Sequence, residues 1–157
     1  MKWTLLTALL LLAATVLHAQ SAPPADANYS GTYSFLKEGE FVQITVEEAG
    51  KVTGFISRFG DVDNEHDAFL DHFFKDGKLS GTKLTFSTQT VHGVWFNFSG
   101  EFARGEGKNP GDEAYYELKG TLVRNSTDEN KKTTAKSSEV TFKSFPADMQ
   151  APAQKQD

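Results

Sequence analysis

The sequence predicts an all-β domain, and three features lead to that fold class. Between residues 28 and 145, apolar and polar residues alternate in short segments, which is typical of antiparallel strands. Turn residues separate these segments, and helical periodicity is not sustained outside residues 60–74. Glycines also recur inside the segments, at Gly31, Gly54, Gly100 and Gly120. Because glycines inside strands mark sharp bends, we expect one up-and-down barrel of about eight strands, with a β-sandwich as the alternative.

The first residues have the features of a secretory signal peptide. Lys2 precedes an apolar run from Leu5 to Leu17, and Ala19 offers a small residue for cleavage. The run is shorter than the roughly 18 residues expected of a membrane-spanning helix. We therefore expect residues 1–19 to be removed, residues 20–27 to form a linker, and the protein to be secreted or periplasmic.

Composition narrows the range of functions. The 157 residues include 16 Lys and Arg against 21 Asp and Glu, a formal net charge of −5, and there is no cysteine. An acidic chain without a long basic run is a poor candidate for binding nucleic acid or an anionic membrane surface. Without disulfides, stability must come from an apolar core. The length suits one domain, residues 28–145, followed by a disordered tail at residues 146–157.

The spacing of the apolar residues places the inward faces of the strands. The expected inward residues are Tyr29, Tyr33, Phe35, Val42, Ile44, Val46, Leu84, Phe86, Val94, Phe96, Phe98, Phe102, Tyr116, Leu118, Leu122, Val140 and Phe142. So many rings predict a largely filled interior with at most a shallow apolar pocket, because an eight-stranded barrel is narrow.

Residues 64–75 are compatible with two structures. As a helix, the segment would begin at a capping Asp63 or Asn64 and end at Gly77. As a strand, it would run into a hairpin turn at Asp76-Gly77 and pair with the residues that follow. We favour the strand because the surrounding segments are all β, and a short helix is the alternative.

Two short stretches resemble the opening of avidin- and lipocalin-like up-and-down barrels. They are Gly31-Thr32-Tyr33, and Gly50-Lys51-Val52-Thr53-Gly54 with Ser57. The resemblance implies that one small molecule binds at the open mouth of the barrel. Tyr33 stands where that family favours Trp, and residues 34–36 lack the polar residue that contacts the ligand ring. No biotin-binding residue is therefore carried over to this chain.

Candidate ligand-binding residues lie near the ends of the inward faces. They are His72, His92, Arg104, Tyr33 and Tyr116. We expect His72 to share a face with Leu70 and Phe74, and His92 to share one with Val94 and Phe96. A rim arginine such as Arg104 could hold an anionic or amphipathic ligand. Trp95 is expected on the outer face, where it is the candidate contact with a partner protein or a second copy of the chain.

The acidic residues before the phenylalanines suggest a metal site only superficially. Asp61, Asp63, Glu65 and Asp67 alternate as in a calcium loop. An EF-hand loop needs glycine at its sixth position and glutamate at its twelfth, and His66 and His72 occupy those positions. The histidine spacing also matches no standard zinc pattern. We expect no bound metal and no cofactor.

Sequence motifs of enzymes are absent, since the chain has no nucleophile elbow, phosphate loop or dinucleotide fingerprint. An acid/base site formed by Asp71, His72 and His92 is the enzymatic alternative, provided that the fold brings them together. The sequence favours an exported, non-enzymatic barrel that binds a small apolar or amphipathic ligand. A protein-interaction or oligomerising module that uses the outer sheet face is the other alternative.

Overall fold

The computed structural model describes residues 27–60 and 68–149, and within them eight strands follow one another. The strands are β1 (Gly31–Ser34), β2 (Phe41–Val46), β3 (Val52–Phe59), β4 (Phe69–Ser80), β5 (Lys83–Thr88), β6 (Val94–Arg104), β7 (Tyr116–Thr127) and β8 (Thr133–Lys143). Each is antiparallel to the next, and all eight form one sheet in sequence order. The predicted all-β, up-and-down architecture is confirmed, and the two-sheet sandwich is wrong.

Helical structure in the described ranges is limited to two 3-10 turns. They span Glu48–Gly50 and Ala147–Met149. None of the helices described has the length and hydropathy needed to cross a membrane.

The sheet closes where the beginning of the domain meets its end. Tyr33 and Ser144 form an antiparallel bridge, and the amide of Phe145 donates to the Thr32 carbonyl oxygen over 2.8 Å. The amide of Lys143 also donates to Ser34 Oγ over 2.9 Å. Because β1 has only four residues, it covers only the last part of the much longer β8.

The chain ends expected to be irregular are only partly described. The amide of Ala147 donates to the Gly111 carbonyl oxygen over 2.9 Å, which holds the second 3-10 turn against the domain. Residues 146–149 thus contact the domain, and the predicted disordered tail from residue 146 stays a prediction. The signal peptide, residues 20–26 of the linker and residues 150–157 lie outside the described residues.

The inward faces form the core that the alternation predicted. Rings from β4, β5, β6 and β8 make a ladder: Phe74 stacks on Phe86 at 4.3 Å between centroids, and Phe86 stacks on Phe98 at 5.1 Å. Phe98 in turn lies 5.9 Å from Phe142. Burying one such side chain contributes about 1.5–3 kcal/mol, so the ladder is a major source of stability in a chain without disulfides.

Strand β4 confirms the strand prediction for residues 69–74 but not the predicted turn. The strand continues through Asp76 and Gly77 to Ser80, with a bulge between Phe74 and Asp76. A Cβ at Gly77 would collide with the Val52 carbonyl oxygen. This glycine therefore permits a close approach of two strands instead of making a hairpin. The hairpin turn lies four residues later, at Gly81 and Thr82.

The sequence predicted that His92 shares the apolar face of β6 with Val94 and Phe96, and this prediction is wrong. Val91 and Val94 exchange two backbone hydrogen bonds of 2.9 Å, so His92 and Gly93 are the two central residues of a tight turn. Both have positive φ angles, 48° and 74°, as the favoured two-residue hairpin turns require. The His92 side chain is consequently exposed.

Candidate functional site

A cleft of about 470 Å³ opens at the end of the barrel where β1 and β7 begin and β6 and β8 end. Its walls come from three parts of the chain: residues 27–33, residues 110–116 in and after the β6–β7 loop, and residues 144–147 after β8. The loop is attached to the end of the domain, because the amide of Ala114 donates to the Ser144 carbonyl oxygen over 2.8 Å. The barrel must therefore be closed for the cleft to exist.

Three tyrosines, Tyr33, Tyr115 and Tyr116, line this cleft, which we call the tyrosine cleft, and further aromatic rings pack against them. Tyr29 stacks on Phe102 with centroids 4.2 Å apart and planes 7° from parallel. Tyr116 meets the Tyr29 ring edge-on at 5.0 Å, and Tyr115 meets Tyr116 edge-on at 4.7 Å. The hydroxyl of Tyr33 donates to the Tyr29 carbonyl oxygen over 2.9 Å. These contacts fix the rings, so a ligand would meet a preformed surface.

Two of the tyrosine hydroxyls remain available to a ligand. Within residues 27–60 and 68–149, neither the Tyr115 nor the Tyr116 hydroxyl makes a hydrogen bond. Two serine side chains of the cleft accept hydrogen bonds from the backbone. Ser144 Oγ accepts one from the Tyr116 amide over 3.1 Å, and Ser30 Oγ accepts one from the Val46 amide over 3.0 Å. The hydroxyl protons of those serines are still free to donate.

Among the described residues, Asp112 is the one charged residue in the lining of the cleft. Its carboxylate accepts the backbone amides of Asn109 over 2.8 Å and Lys108 over 3.0 Å. These hydrogen bonds, that of the Asn109 amide most of all, lower the pKa of Asp112 below its ordinary value. The side chain is therefore ionised at neutral pH and gives the cleft a negative charge.

Arg104 holds the loop instead of facing a ligand. One guanidinium nitrogen donates to the Tyr115 carbonyl oxygen over 2.7 Å, and the other donates to the Gly107 carbonyl oxygen over 2.9 Å. The guanidinium carbon also lies 3.4 Å from the centroid of the Tyr115 ring. Two of the guanidinium N–H groups thus hold the β6–β7 loop, and Arg104, predicted as a rim residue that could bind an anion, is not among the described residues that line the cleft.

Burial affects the ionisation of the tyrosines in this region. Desolvation, with a smaller contribution from Tyr116 and Tyr29, raises the pKa of Tyr33 well above its ordinary value. Desolvation also raises the pKa of Tyr29 and Tyr116, and the Arg104 charge partly offsets the rise at Tyr116. All three hydroxyls are therefore protonated at neutral pH and can donate hydrogen bonds.

His72 lies near the opposite end of the barrel, fully buried on the inward face of β4. Its Nε2 accepts a hydrogen bond of 3.1 Å from Nε of Arg58, which is itself only 4 % exposed. The Phe96 ring lies 5.2 Å from the imidazole and 5.7 Å from the guanidinium carbon. Nearby, Glu40 accepts the Phe59 amide over 3.2 Å. His72 thus belongs to a polar cluster inside the barrel and not to the tyrosine cleft.

The three residues of the enzymatic alternative do not converge. Asp71 and His72 are neighbours on β4, so their side chains project to opposite faces of the sheet, and Asp71 is exposed while His72 is buried. His92 lies in the exposed turn before β6. Among the carboxylates in the described residues, Glu40 and Glu117 are buried.

The remaining sequence-predicted positions are placed as follows. Trp95 lies on the outer face of β6, opposite Asn125 of β7, and is half-buried. Asp61, Asp63, Glu65 and Asp67 lie outside the described residues. In the described part of the chain, histidine, aspartate and glutamate side chains do not gather in groups of three or more that could hold a metal ion.

Comparison with known proteins adds to this picture at the level of fold. No protein-family model and no curated protein matches this chain. Solved structures do match. The fold resembles that of the avidins. A rhizavidin–biotin complex aligns with a TM-score of 0.53 at 14 % identity, covering 74 % of this chain and 99 % of that one.

Two further structures agree. Rhizavidin aligns with a TM-score of 0.52 at 14 % identity, over 74 % of this chain and 81 % of its own. Apo shwanavidin aligns with a TM-score of 0.50 at 14 % identity, over 77 % of this chain and the whole of its own. The predicted resemblance to avidin-like barrels is therefore confirmed for the fold, and at this identity for the fold alone.

Sequence reasoning missed three residues of these sites. Arg58 occupies an inward position of β3, two residues after Ile56, so the period-two pattern alone could have found it. Asp112 and Tyr115 belong to the β6–β7 loop, which is held at the cleft by tertiary contacts such as those with Ser144 and Ala147. No local pattern in the sequence marks residues of that kind.

Proposed function

We propose that this protein binds a small amphipathic molecule, uncharged or cationic, in the tyrosine cleft without transforming it. The observation that carries the proposal is a preformed cleft of about 470 Å³ in which the Tyr115 and Tyr116 hydroxyls are available. Small-molecule sites typically have volumes of about 300–1,000 Å³, mostly apolar walls and a few placed polar groups. The cleft has all three properties.

The charges of the cleft favour a cation over an anion. Asp112 contributes a full negative charge, and tyrosine ring faces attract cations. The nearest guanidinium, that of Arg104, is held by two backbone carbonyl oxygens and by the Tyr115 ring. An anionic ligand in the cleft would meet Asp112, and no lysine or arginine is among the described residues that line the cleft.

Other surfaces support the proposal less well. A groove of about 620 Å³ follows the outer surface beside the β4 bulge, and its lining includes Lys51, Lys75 and Lys78. Lys51 is paired with Glu47 over 2.8 Å, and all three lysines are solvent-exposed. Exposed lysines are well solvated, so an ion pair with a ligand there would contribute little binding free energy.

We also propose that the protein acts outside the cytoplasm, in line with its signal-like first residues.

Two probes of similar size and opposite charge test the proposal. Phenethylammonium and 3-phenylpropionate each carry one ring and one ionised group, so calorimetric titration of the protein with both isolates the effect of charge. We expect the cation to bind more tightly by about three- to tenfold, in line with an interaction of about 1 kcal/mol. Asp112→Asn should remove this preference, and Tyr115→Ala should weaken binding of both probes.

A variant distant from the cleft provides the control. His92→Ala changes an exposed residue at the opposite end of the barrel and should leave both affinities unchanged. Tighter binding of 3-phenylpropionate, or equal responses of Asp112→Asn and His92→Ala, would contradict the proposed charge preference. Binding of neither probe at millimolar concentration would refute the cleft as a ligand site.

A further inference from the structure

The outer face of β2, β3 and β4 carries an apolar patch that we call the phenylalanine face. Its members are Phe41, Phe55, Phe59, Phe69 and Phe73. Phe55 lies 5.4 Å from Phe73 between centroids, and Phe59 lies 4.5 Å from Phe69. Phe69 and Phe73 remain 51 % and 52 % exposed. A contiguous group of exposed aromatic rings on the outside of a sheet is typical of a protein interface.

Two opposite charges flank the most exposed ring. Asp71 and Lys75 lie two residues before and two residues after Phe73 on β4, and both are exposed. Alternation along the strand places Asp71 on the same face as Phe73. The bulge lets Lys75 and Asp76 stand together opposite Ser87 of β5, and both side chains are exposed. Along β4, the phenylalanine face therefore presents the Asp71 carboxylate, the Phe73 ring and the Lys75 ammonium group in that order.

This row is complementary to itself when two copies meet in one particular orientation. If the phenylalanine faces of two copies stack with their β4 strands antiparallel and a two-fold axis at Phe73, Asp71 of each copy faces Lys75 of the other. If the strands ran parallel, Asp71 would face Asp71, which like-charge repulsion disfavours. Stacked sheets pack about 10 Å apart with nearly aligned strands, a spacing that leaves room for phenylalanine rings and for ion pairs between long side chains.

The same orientation also matches the neighbouring strand. Phe55 pairs with Phe73 in the β3–β4 register, so both rings lie on one line perpendicular to the strands. An axis along that line stacks each of these rings on its own counterpart. Closed two-fold contacts of this isologous kind are the commonest way in which soluble chains associate.

We propose that the phenylalanine face joins two copies of this chain, with antiparallel β4 strands and reciprocal Asp71–Lys75 pairs. The proposal is independent of the tyrosine cleft, which lies at the barrel end formed by β1, β6, β7 and β8. It also places the contact on β2–β4 and not at Trp95 of β6, the interface candidate from the sequence. A second copy is favoured over a different partner because the charges of the face complement each other.

Charge reversal tests this pairing. Sedimentation equilibrium or light scattering over about 10 µM to 1 mM should give the purified protein a mass twice that of one chain at the upper concentrations. Asp71→Lys and Lys75→Asp should each raise the dissociation constant about tenfold or more, because each change opposes two like-charged pairs at once. An equimolar mixture of the two single variants should associate again, since each then supplies the charge that the other needs.

Several outcomes would overturn the proposal. A wild-type protein that is monomeric throughout the concentration range removes it outright. Wild-type dimers that neither variant weakens place the contact elsewhere. If both variants are monomeric and do not associate on mixing, the antiparallel pairing is excluded. Evidence that a different protein or a lipid surface occupies this face would exclude it as well.

Two exposed charge reversals in the β7–β8 hairpin, Lys136→Asp and Glu129→Lys, are the matched controls and should leave the mass unchanged. Far-UV circular dichroism establishes that every variant is folded.

Discussion

Nε of Arg58 donates a hydrogen bond of 3.1 Å to Nε2 of His72 inside the barrel. Because a guanidinium can only donate, the imidazole must accept at Nε2 and carry its proton on Nδ1. The pair is therefore a cation bound to a neutral histidine, enclosed by the Phe96 ring and by strands β3 and β4. Both groups lie in a region where an unsatisfied polar atom is costly.

We predict that His72→Leu lowers the free energy of unfolding by about 1–3 kcal/mol, although leucine is more hydrophobic. The substitution removes the acceptor of the Arg58 Nε–H and leaves that donor buried. Urea unfolding monitored by circular dichroism measures the effect. Lys78→Ala, an exposed change on the same strand, is the control and should shift stability by less than about 0.5 kcal/mol. A His72→Leu variant as stable as the wild type would mean that Arg58 does not need this acceptor.

The tyrosines at the cleft end predict sensitivity to alkali. Burial raises the pKa of Tyr33 above its ordinary value, so the folded state resists formation of the phenolate. The contribution of Tyr33 to stability is complete below about pH 10 and falls by about 1.4 kcal/mol per pH unit above it. In urea unfolding between pH 8 and 11, Tyr33→Phe should therefore start less stable, through loss of the hydrogen bond to Tyr29, but decline less steeply. Parallel declines of the two proteins would argue against this burial effect.

Close approach of β6 and β7 predicts that Gly120 tolerates no side chain. Gly120 pairs with Gly100, and a Cβ at Gly120 would collide with the Gly100 Cα and with the Ser99 carbonyl oxygen. Gly120→Ala should cost more than about 2 kcal/mol because the backbones of the two strands must separate. Ser99→Ala, on the outer face of β6, is the control for the same denaturant titration. If Gly120→Ala left the free energy of unfolding unchanged, the two strands would be able to move apart without loss of stability.

The clamp formed by Arg104 gives a local prediction. Lysine at this position keeps the positive charge but cannot donate to the Tyr115 and Gly107 carbonyl oxygens in the same planar geometry, nor stack as closely on the Tyr115 ring. Arg104→Lys should speed amide hydrogen exchange in residues 105–115, with a stability loss of about 1–2 kcal/mol. Exchange in β2 and β3 is the internal reference and should change much less. Uniform acceleration across the domain would contradict a local clamp.

The signal-like sequence of residues 1–19 gives a prediction about export. Expression in a Gram-negative host with its own secretion machinery should yield periplasmic protein that begins near Gln20, since Ala19 provides the small residue for cleavage. Mass spectrometry of the intact soluble protein measures this directly. Soluble protein that retains Met1 and the apolar run would contradict the signal-peptide assignment.

The sequence predicted the fold well where one face of a strand is continuously apolar. In β6 the even positions from Val94 to Phe102 are inward, as the alternation indicated. The period-two rule works there because burial on one face fixes the register. The same rule failed at His92, because a positive φ at two successive residues turns the chain before the strand begins.

The candidate site was less predictable, because its parts meet only in three dimensions. Tyr33 and Tyr116 were predicted to bind a ligand, and the structure does bring them to one cleft. The sequence predicted a hairpin turn at Asp76-Gly77. In the structure, Gly77 instead allows the Val52 carbonyl oxygen to come close, and local sequence does not indicate this contact. A glycine in the sequence does not by itself distinguish a turn from a strand position that a neighbouring backbone approaches closely.

The bridge between Tyr33 and Ser144 has a kinetic consequence. Every other strand pairing joins neighbours in sequence, so the hairpins can form from local contacts, whereas this closure spans almost the whole domain and carries the largest loop entropy. Closure is therefore expected to come last in folding and to open first. Since the cleft is built from both ends of the domain, an occupant would act as a latch, slowing this opening and lengthening the lifetime of the sealed barrel.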